Sequence, residues 1–225
     1  SHRGSHHQRQ RPSDRDGHVA RVHDVDQVDV RSGEWLLLAR TRYLLDRWAE
    51  HCRLSGVRYV MHGRDSVDAS HVQSIRAYEA LRAGKRLTGE NVLQAFEYTP
   101  SKPTDIDAEQ TYTAADLKLR DMPVWHSVMT RIPDSTLKYY ESCLRNHSRA
   151  LTEPPRVRIM TIHACKGREA DNVGVLTDVS ARVARSIESH SRDSDAEHRV
   201  WYVAVTRARN FLAIVSPTDI HHYTI

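Results

Sequence analysis

Four short apolar runs, "WLLLA" (35–39), "VRIMTI" (157–162), "NVGVLT" (172–177) and "FLAIVS" (211–216), set the first constraint on this chain. Each has the length of a strand and is apolar on both faces, the pattern of strands covered on two sides in a parallel sheet. After "WLLLA", Leu44, Leu45, Trp48, Ala49 and Cys52 recur at helical spacing, and "VRYV" (57–60) resumes the strand pattern, giving the strand–helix–strand order of a βαβ unit. A further helix is expected over about 195–209. Between the early and late runs, residues 64–150 read as helical around 70–83, 90–97, 114–120 and 135–150. "TPSKPTD" (99–105), Pro123 and Pro133 interrupt them, and no strand is expected there. The fold class implied is α/β: a parallel sheet flanked by helices and interrupted by a mostly helical insertion.

Composition narrows the functional classes. The chain has 225 residues, 39% of them apolar, enough for one large or two small domains with a real core. Lys and Arg number 33 against 29 Asp and Glu, a net charge of +4, which favours a polyanion as partner, although weakly. No apolar run approaches the ~18 residues that span a bilayer, and the N-terminal residues lack the apolar core of a signal peptide, so a cytoplasmic protein without a membrane partner is expected. Cys52, Cys143 and Cys165 are odd in number and far apart, which suits reduced thiols. Among the 15 histidines, Cys143/His147 and His163/Cys165 have short spacings, but no second pair completes a tetrahedral set, and no metal site is expected. Residues 1–21 are Arg-rich and nearly free of apolar side chains, so 1–33 reads as a basic linker or flexible segment, the other reading being an arm that lies on nucleic acid.

Two stretches carry chemistry. In "RIMTIHACKGREADNV" (158–173) a strand ends near Ile162 and is expected to deliver His163 to Glu169 to the carboxyl edge of the sheet, where open α/β folds bind ligands. Gly167 would let the backbone approach a ligand, Lys166 would offer a point charge to phosphate, and Glu169 could accept hydrogen bonds from sugar hydroxyls. The plain alternative is a polar loop at a strand end. In "EHRVWYVAVTRARNFLAIV" (197–215), Arg199, Tyr202, Val203 and Thr206 share one side of a helix with Arg207 on its flank, while Trp201, Val205 and Ala208 point elsewhere. An arginine fixed on a packed helix suits a phosphoryl-transfer site shared between domains; the plain alternative is a solvated helix face.

"TIHACKGRE" (161–169) resembles motif V of the UvrD/Rep-like superfamily 1 DNA helicases, and "EHRVWYVAVTRAR" (197–209), with its unbroken "YVAVTRA" (202–208), resembles motif VI. "LLLARTRYLLDRWAEHCRLSGVRYVMHG" (36–63) looks like motif IV with the helix and strand that follow it. The resemblance covers most of 34–63 and 157–216. It implies a second, C-terminal RecA-like domain in two parts, 34–63 and 156–225, with residues 64–155 as a short insertion subdomain to which no residue roles transfer. It further implies that Arg40 and Arg207 contact the γ-phosphate of ATP across a domain cleft, where both would serve catalysis. Glu169 would hold the ribose, Gly167 would allow the close turn, and Thr161, His163 and Lys166 would lie at a bound single strand and couple it to the nucleotide. Arg199, Tyr202 and Thr206 would support motif VI. Where the family often has a tyrosine before the motif IV arginine, stacked on adenine, this chain has Ala39.

The sequence contains no G-x-x-x-x-G-K-[ST] and no acidic pair ending an apolar strand, so ATP and its Mg²⁺ are expected to be held by an N-terminal RecA-like domain acting as partner. The expected activity is that of an ATP-dependent DNA helicase or translocase, moving 3′ to 5′ on single-stranded DNA or at a single-strand/duplex junction, in a bacterial cell or a phage-infected host. This chain alone is expected to be inactive. A degenerate helicase-like module that binds nucleic acid or protein without hydrolysing ATP stands as the alternative reading.

Overall fold

In the computed structural model, which describes residues 17–188 and 192–225, the apolar run Trp35–Ala39 lies at the middle of the sheet with all five residues buried. The strands are β1 (His18–Val22), β2 (Trp35–Ala39), β3 (Tyr59–Met61), β4 (Arg64–Asp65), β5 (Leu87–Thr88), β6 (Thr111–Tyr112), β7 (Val157–Thr161), β8 (Ala170–Leu176) and β9 (Ala208–Val215). The helices are α1 (Leu45–Leu54), α2 (Ala69–Arg82), α3 (Gly89–Ala95), α4 (Trp125–Val128), α5 (Asp134–Asn146), α6 (Ala181–Glu188) and α7 (Arg192–Val205). The large sheet has the order β1-β9-β8-β2-β7-β3-β4, parallel except for the β3–β4 pair, as a RecA-like α/β fold requires.

Because β2 is covered on both sides, its alternate side chains feed two cores. Trp35, Leu37 and Ala39 pack with Leu45, Trp48 and Cys52 of α1, whereas Leu36 and Leu38 pack with Ile162, Val173, Val175, Trp201 and Ala204 on the opposite face. Gly174 sits where β8 crosses Trp48: an added Cβ would come within 2.9 Å of both Leu37 and Trp48, so no larger residue fits. A third core, drawn from Val67 to Leu151, belongs to the segment between β4 and β7; Tyr78, Leu81, Met129, Ile132 and Tyr140 lie at its centre. That segment is tied to the sheet by the Arg58 guanidinium, which forks onto Asp65 and donates to the carbonyls of Ala150, Leu151 and Glu153. No helix among the described residues is long and apolar enough to cross a membrane.

Several expectations change. The segment 1–33 is not wholly a linker: residues 18–22 form an edge strand whose register runs from His18 opposite Phe211 to Val22 opposite Val215, and Val28 and Val30 are buried. The edge strand is held by main-chain hydrogen bonds and half-exposed side chains, so it carries no apolar signature. The large sheet also continues past residue 63 into β4, and β5 and β6 pair within the segment expected to lack strands. Over 114–120 a single turn replaces the expected helix. Thr113 and Asp116 bond each other reciprocally, Leu119 N donates to the Ala114 carbonyl, and Lys118 takes a left-handed φ of 56°, which ends the turn.

Candidate nucleotide and nucleic-acid edges

The ends of β2 and β7 lie side by side, with Ala39 opposite Thr161, so Arg40 and Ile162 leave the sheet together at its carboxyl edge. There Arg40 meets Glu197 of α7: Nε donates to Oε2 at 2.8 Å and Nη2 to Oε1 at 2.6 Å, a fork whose side chains are only 16% and 12% exposed. His163 stands in the field of that pair. Partial burial, then the Arg40 charge, hold its pKa below the ordinary 6.5, with Glu197 opposing, so the ring is neutral at pH 7.

From Thr161 the chain turns down the sheet face. Ile162 and Cys165 of the 3₁₀ turn Ile162–Cys165 are buried against Leu36, Leu38 and Trp201, and the Cys165 thiol donates to the Ile162 carbonyl at 3.0 Å. Burial pushes that thiol up while the Arg207 charge opposes, so the thiol stays protonated and inert. Lys166 and Gly167 are exposed beyond the turn. Gly167 has φ +78°, and a Cβ there would meet nothing within 4 Å, so the glycine is required by backbone conformation rather than by close approach.

At Glu169 the chain has reached the opposite, amino edge. The Ala170 amide donates to the Arg207 carbonyl at 3.1 Å, and Ala170 pairs with Ala208. The guanidinium of Arg207 donates from Nε to the Val203 carbonyl (3.0 Å), from Nη1 to the Arg168 carbonyl (3.4 Å) and from Nη2 to Thr206 Oγ1 (3.1 Å). All three acceptors are neutral, and among the described residues Arg207 has no ion pair. Glu169 pairs instead with Arg209, Nε to Oε2 at 3.4 Å. Thr206 Oγ1 bonds back to the Tyr202 and Val203 carbonyls and closes the helix end, Arg199 Nε donates to the Asp195 carbonyl, and the Tyr202 ring is 69% exposed.

Thr161, His163 and Arg40 therefore stand at one edge, and Gly167, Glu169 and Arg207 are brought together toward the other. The structure does not bring Arg40 and Arg207 together, nor does it hold His163 to Glu169 at one carboxyl edge. The cause is topological. β8 runs parallel to β7 on the far side of β2, so its first residue must start at the amino edge, and only the short 3₁₀ turn crosses the face between them. Helix α7 runs against the strands, with Glu197 near the carboxyl edge and Arg207 ten residues later at the amino edge, about 15 Å along the axis.

The profile of the UvrD-like helicase C-terminal domain matches residues 126–218. Those residues hold all but the first residue of α4, and α5, β7, the 3₁₀ crossing, β8, α6, α7 and β9, so the crossing lies wholly within the match. Over those residues the chain is similar to the UvrD-like helicase C-terminal domain. No curated protein matches the chain. Arg40 lies upstream of the UvrD-like match, and its partner Glu197 lies within it. Sequence reasoning missed that partnership, although Glu197 stands in the same quoted stretch as Arg207, ten positions before it.

Proposed function

We propose that this chain is the second RecA-like half of an ATP-dependent DNA translocase, with residues 64–155 as its insertion subdomain. Its amino edge faces a nucleotide held by an N-terminal RecA-like domain, and its carboxyl edge faces single-stranded DNA. One observation supports this reading above the rest: residues 161–169 and α7 both run from one edge to the other, so a shift imposed at one edge is carried to the second through packed side chains. Arg207 is an uncompensated cation on neutral acceptors, a fitting group for charge developing on a γ-phosphoryl. Glu169 beside it is exposed and fits a ribose hydroxyl. Bound ATP·Mg²⁺ supplies the transferable phosphoryl group and the metal charge. This chain's residues neutralise, orient and relay.

At the carboxyl edge, Arg40 acts differently from the role that its resemblance to motif IV implies. A guanidinium already forked onto Glu197 has its charge balanced, so it positions the edge beside Thr161 and His163 rather than stabilising a transition state. Movement from 3′ to 5′ follows from the motif resemblance and belongs to this proposal. The test is single-turnover ATP hydrolysis by the complete enzyme with and without single-stranded DNA. Stimulation by DNA that is lost in Arg207→Ala supports the proposal. DNA binding with hydrolysis unaffected by that change would instead make the chain a binding module.

A further inference from the structure

We propose that Tyr43 is a base-stacking residue for single-stranded DNA at the carboxyl edge, flanked by cations that hold the phosphates; this rests on the reading of that edge given above. Tyr43 follows Arg40 by three residues, in the 3₁₀ turn Arg42–Leu44 through which the chain leaves the carboxyl end of β2, and its side chain is 60% exposed. The next residues, Leu44 and Leu45, are buried under the sheet, so the turn carrying the ring is anchored while the ring itself meets solvent. An anchored, exposed aromatic ring is an uncommon surface residue. In single-strand binding proteins that arrangement adds a sequence-tolerant stacking contact to the phosphate contacts, since every base has a face to stack on.

The surroundings give the ring its ligand. Strand order places the ends of β2, β7 and β3 next to one another, a span of about 10 Å at normal strand spacing. β2 contributes Arg42 and Tyr43, β7 contributes Thr161 and His163, and β3 contributes the tight turn His62–Gly63 with Arg64 after it, both turn residues having positive φ. Arg42 and Arg64 are exposed and have no ion pair among the described residues. Of the acids of this region, Glu197 is committed to Arg40 and Asp65 to Arg58, while Asp46 stands exposed in the first turn of α1. Thr41, between Arg40 and Arg42 in sequence, adds a buried Oγ1 with no hydrogen-bond partner. Free cations at the same edge as an exposed ring fit a strand whose phosphates are bound and whose base is stacked.

The experiment is fluorescence anisotropy of the full chain at low ionic strength, with a fluorescein-labelled oligothymidylate and an abasic oligonucleotide of equal length. Tyr43→Ala should weaken oligothymidylate binding about tenfold, and Tyr43→Phe should stay within about twofold of the parent. Neither should alter abasic binding. The slope of log K against log salt should be unchanged in Tyr43→Ala and fall by about 1 in Arg42→Ala, because only the latter removes a phosphate contact. An unchanged thermal unfolding midpoint in Tyr43→Ala confirms that the fold is intact. If the parent binds oligothymidylate and Tyr43→Ala binds it equally well, the stacking role is wrong while the edge assignment survives. Equal loss on abasic and base-bearing strands overturns stacking in favour of a structural role. Failure of the parent to bind any strand overturns the edge assignment itself.

Discussion

The two edges of the central sheet each present an arginine beside α7, and the two arginines are in opposite electrostatic states. Arg40 at the carboxyl edge is forked onto a nearly buried carboxylate; Arg207 at the amino edge is fixed only by two carbonyls and a hydroxyl. Both are held rigidly, but only one retains its charge for a ligand. Position on a packed helix therefore does not make an arginine catalytic. What its fork already holds decides between a structural tie and a site for an anion.

The comparison breaks most visibly in kinetics. In the complete enzyme, Arg207→Ala should lower kcat by about 10³ to 10⁵, and Arg207→Lys should recover little, because an ammonium cannot reproduce the planar fork. Steady-state ATPase with saturating single-stranded DNA checks it. Next in size is stability. Arg40→Ala strands Glu197, 12% exposed, and should cost about 2 kcal/mol, less than the roughly 3–5 of a fully buried broken pair. Arg40→Gln with Glu197→Gln removes both charges and should recover most of that loss in denaturant unfolding. Recovery that fails would mean that the fork is more than a paired charge.

Smaller effects sharpen the same contrast. Glu169→Ala should raise KM for ATP by a few-fold to about tenfold with kcat nearly unchanged, since a ribose contact is made equally in ground and transition states. Smallest is the titration of His163. Its folded pKa is depressed, so the fold favours the neutral ring; that contribution is present above the unfolded value near 6.5 and is lost as pH falls through the lower folded value. Replacing it in His163→Gln should flatten the acid side of the stability curve below about pH 6.5 and leave the salt slope of DNA binding at pH 7 unchanged. A smaller salt slope would show that the ring is charged on the strand.

Much of the sheet was legible because β2, Val173–Leu176 of β8 and Leu212–Val215 of β9 are buried on two faces and are apolar there, with Val157 and Ile159 of β7 buried beside them. Helices α1, α2, α3 and α5 followed from periodicity and breakers. β1 escaped because an edge strand satisfied by main-chain bonds tolerates "HVARV", and α6, of eight residues, gave no separate signal. Of the site, the residue types were readable and the grouping was not. Because β7 and β8 both run parallel to β2, β8 has to start at the amino edge, so the seven positions between Thr161 and Glu169 cross the sheet rather than form one loop at its carboxyl edge. The Arg40–Glu197 fork likewise joins residues 157 apart in sequence.

The central claim is that the two edges serve different ligands, and ATPase as a function of DNA concentration tests it most directly. In the complete enzyme, Arg207→Ala should lose kcat at every DNA concentration. The Arg40→Gln, Glu197→Gln double variant should instead keep kcat within a few-fold of the parent at saturating DNA while needing more DNA to reach half-activation. Loss of kcat in the double variant as deep as that of Arg207→Ala, with DNA activation unchanged, would place both arginines at the nucleotide and contradict the account.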